Sequence, residues 1–212
     1  MIVVFFGPPG VGKGTIARLL SDRTGIPHVS TGEIFRKAIS KGSALGQRVK
    51  ILTESGGLAP DDVTIALVKE RLELPDVADG VYLDGFPRTI AQADSLDSIM
   101  PVGRVINLVA PDDVLIERLA GRRVCRSCGN THHLKLRPPR TAGVCDRCGK
   151  QLSQRKDDTA DAVRRRLDIY HESTSNLIQH YRDRRLLTDI DASAAAEAVC
   201  SEVAGSLDVP GR

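Results

Sequence analysis

The chain has 212 residues, of which 41% are hydrophobic, 27% charged and 3% aromatic. This balance is that of a globular protein and excludes a coiled coil, a collagen and a long disordered tail. The longest uninterrupted apolar run, residues 1–6, is far shorter than the ~20 residues that span a bilayer, and no charged leader precedes it. We therefore expect a soluble, cytoplasmic protein with one core domain that carries small inserts.

The charge of the chain is unevenly distributed. Residues 118–166 contain 14 Lys and Arg against 4 Asp and Glu, a local charge of +10, whereas the whole chain carries only +3. Charge separation on this scale indicates a polyanionic ligand that is bound mainly by one segment. A nucleotide and a nucleic acid both satisfy this description, so the motifs have to distinguish them.

The elements, taken in chain order, predict a parallel sheet. Residues 2–6 are a continuous apolar run, typical of a buried parallel strand, and glycines and prolines follow at 7–10. Further strands are predicted at 28–29, 81–83, 105–109 and 186–190, and helices after residues 12, 60 and 111 and over 159–183. Alternating strands and helices predict an α/β fold in which helices cover both faces of a parallel sheet.

Two segments interrupt this alternation. Residues 30–59 begin with Ser30-Thr31-Gly32-Glu33, the pattern of a helix capping box, and predict helices broken near Gly42 and Gly46. Residues 121–158 are polar, contain Pro and Gly, and hold four cysteines. We therefore expect a core of residues 1–29, 60–120 and 159–212, a helical insert of 30–59 and a second, zinc-ribbon-like insert of 121–158.

Residues 7–15, Gly-Pro-Pro-Gly-Val-Gly-Lys-Gly-Thr, lie between a buried strand and a helix, which is the context of a phosphate-binding loop. The glycines let consecutive N–H groups point at one phosphate chain, and the helix dipole adds positive charge. Lys13 can reach the terminal phosphates, and Thr15 could lie near Mg²⁺. The general motif has Ser or Thr directly after the lysine, where this chain has Gly14. An ordinary glycine-rich turn is the alternative, and the loop alone does not fix the reaction.

Four of the five cysteines form two Cys-x-x-Cys pairs, Cys125 with Cys128 and Cys145 with Cys148. This spacing is typical of a four-thiolate zinc site, whereas the alternative, a disulfide framework, belongs to small secreted proteins. Four thiolates fill a tetrahedral ion, so we expect a structural Zn²⁺ that stabilises an insert too small to fold alone. The fifth, Cys200, lies in an Ala-rich stretch and is predicted to be a small buried apolar residue.

Together these motifs resemble the adenylate kinases, within the nucleoside monophosphate kinase family, over nearly the whole chain. The resemblance rests on residues 7–15 with Gly14, Ser30–Glu33 with Arg36, Asp84–Arg88 with Gln92, residues 121–124 and 155–158, and Arg166. It implies a reversible, Mg²⁺-dependent transfer of the terminal phosphoryl group of ATP to AMP, giving two ADP, by direct in-line transfer. It also implies that residues 30–59 bind AMP and that residues 121–158 are a zinc-bearing lid, with hinges at Gly56–Gly57 and Gly121.

The resemblance assigns a role to individual residues. It implies that ATP is bound by Gly10, Val11, Gly12, Lys13, Gly14, Thr15, Arg118, Arg122, Thr131 and His132. It implies that AMP is bound by Thr31, Arg36, Gly57, Leu58, Ala59, Gly85, Phe86, Pro87, Arg88, Gln92, Arg155 and Arg166, with Gln92 at the adenine edge.

The predicted catalytic residues are those that can neutralise the transferring phosphoryl group. Phosphoryl transfer needs two substrates held in line and donors around the transferred group, and the planar guanidinium donates in pairs to phosphate oxygens. The predicted catalytic set is Lys13, Arg88, Arg122, Arg155 and Arg166. Asp84, directly after three buried apolar residues, is predicted to orient Mg²⁺ through water. For each arginine singly, and for Asp84, a place on the surface is the alternative.

Two other functions remain open at this stage. A kinase for UMP, CMP or GMP would use the same loop, because base preference rests on few contacts. A nucleic-acid-dependent ATPase would suit the basic cysteine segment, but residues 118–166 contain no Phe, Tyr or Trp on which bases could stack. We therefore expect ATP, AMP and ADP as partners, no nucleic acid or membrane, and a monomer.

Overall fold

The structure is a computed structural model that describes residues 1–42, 46–47, 49–50 and 59–208. Gly56, Gly57 and Leu58, for which a hinge and AMP contacts are predicted, lie outside the described residues. The strands are β1 Ile2–Phe6, β2 His28–Ser30, β3 Val81–Asp84, β4 Val102–Val109, β5 Arg122–Cys125, β6 Thr131–His133, β7 Leu152–Ser153 and β8 Leu187–Asp191. The described α-helices are α1 Lys13–Thr24, α2 Thr31–Ser40, α3 Asp61–Leu72, α4 Ile90–Ile99, α5 Asp112–Gly121, α6 Ala160–Asp183 and α7 Ala196–Ser206.

The main sheet has five strands in the order β2-β3-β1-β4-β8, and each neighbouring pair is parallel. The predicted parallel α/β fold is therefore confirmed. β4 begins three residues earlier than predicted, because Val102 and Arg104 pair with β1 although Gly103 and Arg104 interrupt the apolar run. Parallel strands place their carboxyl ends at one edge of the sheet, and the segments that leave β1, β2 and β3 there carry most of the predicted site.

β1 is buried throughout and divides the apolar core into two layers. Val3 and Phe5 pack with residues of α1, α5 and α7, whereas Ile2, Val4 and Phe6 pack with residues of α3 and α4. The alternation follows from the two-residue period of a strand, and α6 contributes side chains to both layers. Helices therefore cover both faces, as the sequence predicts. Among the described helices, none combines the length and the apolarity needed to cross a membrane.

The first of these layers also holds Cys200, which is fully buried with Leu20, Val199 and Val203. A thiol in such a place behaves as a small apolar group. The expectation for this cysteine is therefore confirmed, and it lies in a different layer of the molecule from the four paired cysteines.

The segment that contains the paired cysteines forms a separate, small antiparallel sheet in the order β6-β5-β7. α5 runs directly into β5, and a β-carbon placed on Gly121 at this junction would collide with the ring of His133. The predicted hinge residue therefore lies against the lid in close packing. A 3₁₀ turn at Lys156–Asp158 then leads into α6.

Candidate functional site

The loop after β1 has the backbone that a phosphate cradle requires. Gly7, Gly10 and Gly12 have φ angles of 134°, 88° and 110°, a region that favours glycine. Space is also restricted, since a β-carbon on Gly10 would lie 2.8 Å from Cγ of Leu119. Gly12 caps α1 without a side-chain hydrogen bond, so no cap side chain competes for the N–H groups of the first turn. Such a helix start binds anions.

The side chain of Lys13 folds back over this loop. Its ammonium group donates to the carbonyl oxygens of Gly7 at 2.6 Å and Pro8 at 3.0 Å. Burial lowers the pKa of Lys13 to about 8, although the charge of Asp84 opposes the shift, and Arg88 among other arginines lowers it further. The lysine therefore lies within electrostatic reach of the predicted site residues from other segments.

Asp84 ends β3 directly below the first turn of α1. Burial raises the pKa of its carboxyl group, but the neighbouring His28 and the charges of Lys13 and Arg88 outweigh burial and lower the pKa to about 2. The His28 contact is long, with 3.8 Å between Nε2 and Oδ2. An ionised carboxylate oxygen beside the phosphate loop is the ligand type that Mg²⁺ prefers, so the residues present fit the predicted metal role.

Two carboxylates that the sequence reading left without a role hold two of the predicted arginines. Asp158, 2% exposed, accepts from Nε of Arg122 at 2.8 Å and makes a second contact with Nη2 of the same guanidinium. Nη1 of Arg166 lies 2.9 Å from Oδ2 of Asp157 and 3.5 Å from Oδ1 of Asp158. The sequence does contain a signal for these two ion pairs, because acidic residues in a strongly basic segment are natural partners for arginines that become partly buried.

The remaining predicted arginines lie beside this pair. Burial, together with the charges of Arg122 and Arg36, lowers the pKa of Arg155 to about 9. Nε of Arg155 is buried and has no hydrogen-bond partner in the described part of the chain. The side chain of Arg88 is exposed and donates from Nε to the carbonyl oxygen of Gly85 at 2.9 Å. The structure thus brings together five of the six arginines for which the sequence predicts a role, namely Arg36, Arg88, Arg122, Arg155 and Arg166.

The turn after β3 packs against the start of α2. Thr31 donates from Oγ1 to the carbonyl oxygen of Gly85 at 3.0 Å. Gly85 has a φ of 82°, and a β-carbon there would lie 2.6 Å from Oγ1 of Thr31. Phe86 is fully buried and is joined to Pro87 by a cis peptide bond. Ala59, the first described residue after the gap, is buried beside α3.

Gln92 is 2% exposed, and neighbouring residues hold both ends of its amide. Its Oε1 accepts from the backbone N–H of Arg88 at 2.8 Å, and its Nε2 donates to Oδ1 of Asp61 at 2.6 Å. Thr89, which caps α4 by accepting from the N–H of Gln92, donates to Oδ2 of Asp61 at 2.7 Å. The sequence reading did not identify Asp61, which lies 31 positions from Gln92.

Arg118 lies outside the arginine group, on the other side of the phosphate loop. Its guanidinium donates to the carbonyl oxygens of Ala192 at 2.7 Å and Ser193 at 3.0 Å, with longer contacts to those of Val11 and Ala194. It therefore joins the phosphate loop to the loop that follows β8. Its predicted contact with ATP stays a prediction, and its hydrogen bonds to the loop after β8 were not predicted from the sequence.

The four paired cysteines converge in the small sheet. All four sulfur atoms lie within 4.8 Å of one another, with 3.4 Å between Cys125 and Cys148 and 3.6 Å between Cys128 and Cys145. A disulfide would need ~2.05 Å, whereas ~2.3 Å bonds to one tetrahedral ion place sulfurs about 3.8 Å apart. The donor set and its spacing therefore fit a single zinc ion.

The two Cys-x-x-Cys turns have the same backbone. Gly129 donates to the carbonyl oxygen of Cys125 at 3.0 Å, and Gly149 donates to that of Cys145 at 2.8 Å. Both glycines have left-handed φ angles, 73° and 70°. Each turn thereby points two sulfurs to one side, which is the arrangement that a shared metal ion requires.

The two predicted lid contacts to ATP are placed differently from one another. Thr131 lies opposite Thr15 of α1, in a small cleft between the lid and the core. The ring of His132 is 3% exposed and faces the metal cluster, where Asn130 donates from Nδ2 to its Nε2 at 3.0 Å. This arrangement does not bring the ring to the cleft, so the stacking predicted for His132 stays untested.

The lid also contacts the first insert. Glu33 on α2 accepts from Nη2 of Arg18 at 3.1 Å, and a β-carbon on Gly129 would lie 3.3 Å from Oε1 of Glu33. Three segments of the chain, α1, α2 and the first cysteine turn, therefore meet at one carboxylate.

Comparison with known proteins supports one family. The family model described as adenylate kinase matches residues 5–186. The chain is 50% identical over 212 residues to the adenylate kinase of Moorella thermoacetica, which covers 98% of both chains. It is 49% identical over 199 residues to that of Treponema denticola, covering 94% of this chain and 95% of the relative. It is 43% identical over 213 residues to that of Archaeoglobus fulgidus, covering 98% of both.

These similarities extend over nearly the full length of the chain, and the range matched by the family model, residues 5–186, runs from β1 to the end of α6 and beyond. They confirm the resemblance that the motifs indicated and the phosphotransferase class that it implied. Adenylate kinases act on adenine nucleotides and use Mg²⁺ with ATP. The chain belongs to the adenylate kinase family.

Proposed function

We propose that this chain transfers the terminal phosphoryl group of ATP to AMP, reversibly and in line, giving two ADP. The observation that carries the proposal is the convergence of Lys13 with Arg88, Arg122 and Arg166 at the carboxyl edge of the sheet, where their charges act on one another. Buried like charges repel, so a site of this kind is complementary to a ligand with several negative charges.

Each nucleotide has its own set of groups on either side of this cluster. The N–H groups of residues 10–15 and the Lys13 ammonium would hold the phosphates of ATP, with Arg122 and Thr131 approaching from the lid. Thr31, Arg36, Ala59, the turn of residues 85–88 and Gln92 would hold AMP. Arg155 and Arg166 would contact the phosphates of both nucleotides, and Arg118, which is hydrogen-bonded to the loop after β8, would contact ATP.

The reaction needs no nucleophile from the protein. A phosphate oxygen of AMP forms a bond to the terminal phosphorus of ATP, while the bond from that phosphorus to its bridging oxygen breaks and ADP leaves. Negative charge spreads over the three oxygens of the transferring group, and the guanidinium groups of Arg88, Arg122 and Arg166 are placed to stabilise it. Lys13 contributes only while it is protonated.

Two metal ions fit the residues present. Asp84, ionised at neutral pH, would orient Mg²⁺ that enters with ATP and neutralises phosphate charge. Zn²⁺ bound by Cys125, Cys128, Cys145 and Cys148 would be structural, since four thiolates leave no open coordination position.

We further infer that residues 30–59 and 121–158 close on a core of residues 1–29, 60–120 and 159–212. Support comes from the contact of Gly129 with Glu33 and from the ion pairs that link Asp157 and Asp158, at the end of the lid segment, to Arg166 of α6. Closure would exclude water, to which phosphate would otherwise be transferred, and would bring the lid arginine to the site.

The decisive experiment supplies ADP as the only nucleotide, with Mg²⁺, and follows ATP and AMP by chromatography. We expect ATP and AMP to appear in equal amounts until equilibrium is reached. A folded, zinc-loaded sample that forms no ATP contradicts the proposal. Offering ATP with UMP, CMP or GMP then separates a different monophosphate kinase from a protein without kinase activity.

A further inference from the structure

Asp61, the first residue of α3, is linked to the predicted AMP-binding residues by hydrogen bonds from two side chains. Its two carboxylate oxygens accept one hydrogen bond each, from Nε2 of Gln92 at 2.6 Å and from Oγ1 of Thr89 at 2.7 Å. Neither bond belongs to the regular hydrogen bonding of α3 or α4. Asp61 therefore has a role toward Gln92 that the helix itself does not need.

Both ends of the Gln92 amide contact groups that have only one hydrogen-bonding role, either donor or acceptor. A carboxylate can only accept, and it faces Nε2; a backbone N–H, that of Arg88, can only donate, and it faces Oε1 at 2.8 Å. Rotating the amide by 180° would place two donors against each other at Arg88 and two acceptors against each other at Asp61. The neighbours thus fix which end of the amide is the donor.

A fixed amide presents a fixed pattern to a base. A glutamine amide has two N–H groups and two oxygen lone pairs, and one of each is used here, which leaves one donor and one acceptor in a set order. Adenine offers an acceptor at N1 and a donor at its 6-amino group, whereas a 6-oxo purine offers a donor at N1 and an acceptor at O6. An amide whose free donor and acceptor match those of adenine would therefore face donor with donor and acceptor with acceptor if a 6-oxo purine were bound.

We propose that Asp61 is the positioning residue that makes the monophosphate site select a 6-amino purine over a 6-oxo purine, by fixing the amide of Gln92. The proposal rests on the proposed function, in which Gln92 meets the base of AMP. Rejection of the wrong base follows because a buried donor or acceptor would be left facing a like group, which is costlier than a lost contact.

The test compares AMP with IMP, its 6-oxo analogue, as phosphoryl acceptors with ATP as donor. Asp61→Ala removes the acceptor that orients Gln92, and Asp113→Ala removes an exposed carboxylate from the first turn of α5 as the matched control. We expect Asp61→Ala to lower the ratio of kcat/KM for AMP to that for IMP about tenfold, the value of one hydrogen bond. The KM for ATP should not change, and Asp113→Ala should keep the wild-type ratio.

The ratio separates positioning from a structural effect, because a loosened α3 would lower the rates with AMP and IMP equally. An Asp61→Ala ratio within threefold of the wild-type ratio overturns the proposal, whatever the absolute rates. If thermal unfolding shows that Asp61→Ala does not fold, Asp61→Leu keeps the branched shape of the side chain without an acceptor, and the same threefold limit applies.

Calorimetric binding of AMP and IMP to the wild type distinguishes failure of the proposed function from failure of the role proposed for Asp61. A wild type that neither converts nor binds AMP removes the proposed function and this inference together. A wild type that uses AMP, beside an Asp61→Ala variant with an unchanged ratio, removes the inference alone.

Discussion

A β-carbon on Gly14 would lie 3.2 Å from Oδ2 of Asp84, so the first turn of α1 and the end of β3 approach each other as closely as a glycine allows. The backbone of Gly14 is in an ordinary helical conformation, unlike that of Gly12. A side chain at position 14 would require the Asp84 carboxylate to move by a few tenths of an ångström, so this contact favours glycine where the general motif has Ser or Thr.

Gly14→Ala is expected to lower kcat/KM about tenfold, because the added methyl group displaces the Asp84 carboxylate, and small misplacements in a phosphoryl-transfer site are costly. Gly205→Ala in α7, where a β-carbon would meet nothing within 4 Å, is the matched control and should raise stability by about 0.5–1 kcal/mol. Steady-state kinetics and thermal unfolding of both variants check this. Full activity of Gly14→Ala would show that the contact with Asp84 is tolerated.

Asp158→Asn should reduce both stability and turnover. The variant leaves the partly buried guanidinium of Arg122 without its charge partner and weakens the pairing of Arg166, which should cost about 2 kcal/mol in the free energy of unfolding. We expect kcat to fall at least about tenfold, because the arginines lose their fixed geometry. Asp161→Asn, at an exposed position of the same region, should stay within about 0.5 kcal/mol of the wild type. Denaturant unfolding and initial rates measure both, and equal behaviour of the two variants would contradict the argument.

Activity toward ATP should fall in alkaline solution because of Lys13. Burial lowers its pKa to about 8 in the folded chain, so the ammonium charge that binds phosphate is present below pH 8 and is lost as the pH rises above it. We expect kcat/KM for ATP to be level up to about pH 8 and then to fall by up to about tenfold per pH unit, because this parameter reports the pKa of the free enzyme.

The Lys13→Arg variant provides the comparison for this pH profile. A guanidinium remains charged up to about pH 12, so its kcat/KM, although lower, should not fall between pH 8 and 9.5. Lys69→Arg, on the exposed side of α3, should retain the wild-type profile. A wild-type profile that is level to pH 9.5 would rule out Lys13 as the titrating group.

Removal of the metal from the lid should unfold the small antiparallel sheet and leave the core domain folded. We expect one zinc ion per chain by elemental analysis, and a lowered melting temperature after treatment with a thiol reagent and a chelator, because metal binding supplies folding energy to such segments. Cys145→Ser should behave like the metal-depleted protein, whereas Cys200→Ala should keep its zinc. Purified protein without bound metal and an unchanged melting temperature of Cys145→Ser would contradict this.

The sequence predicted those features that a few neighbouring residues determine. β1, the phosphate loop and the helix at Asp112–Gly121 each carry their own apolar period, glycines or helix-start residues, and all three are where the sequence placed them. The two cysteine turns belong to the same class, since Cys-x-x-Cys followed by glycine specifies the local backbone.

Features that depend on distant contacts were not accessible in this way. Asp61 and Gln92 are 31 positions apart, and no local pattern relates the first residue of α3 to the first turn of α4. His132 lies in a strand of three residues, where alternation places its ring on the opposite face from Thr131, and so short a strand has no readable period in the sequence. The role of Asp158 likewise depends on its contact with Arg122, 36 positions earlier in the chain.

The concentration of positive charge around Lys13 affects how this protein must be handled. In the proposed site, sulfate, inorganic phosphate and pyrophosphate would present the same tetrahedral oxygens to Arg88, Arg122 and Arg166 as a nucleotide, so we expect such buffer components and precipitants to act as competitive inhibitors. Apparent KM values will therefore rise with the oxyanion content of the solution. Kinetic constants of this chain and of its relatives can be compared only when they are measured in zwitterionic buffers of matched ionic strength.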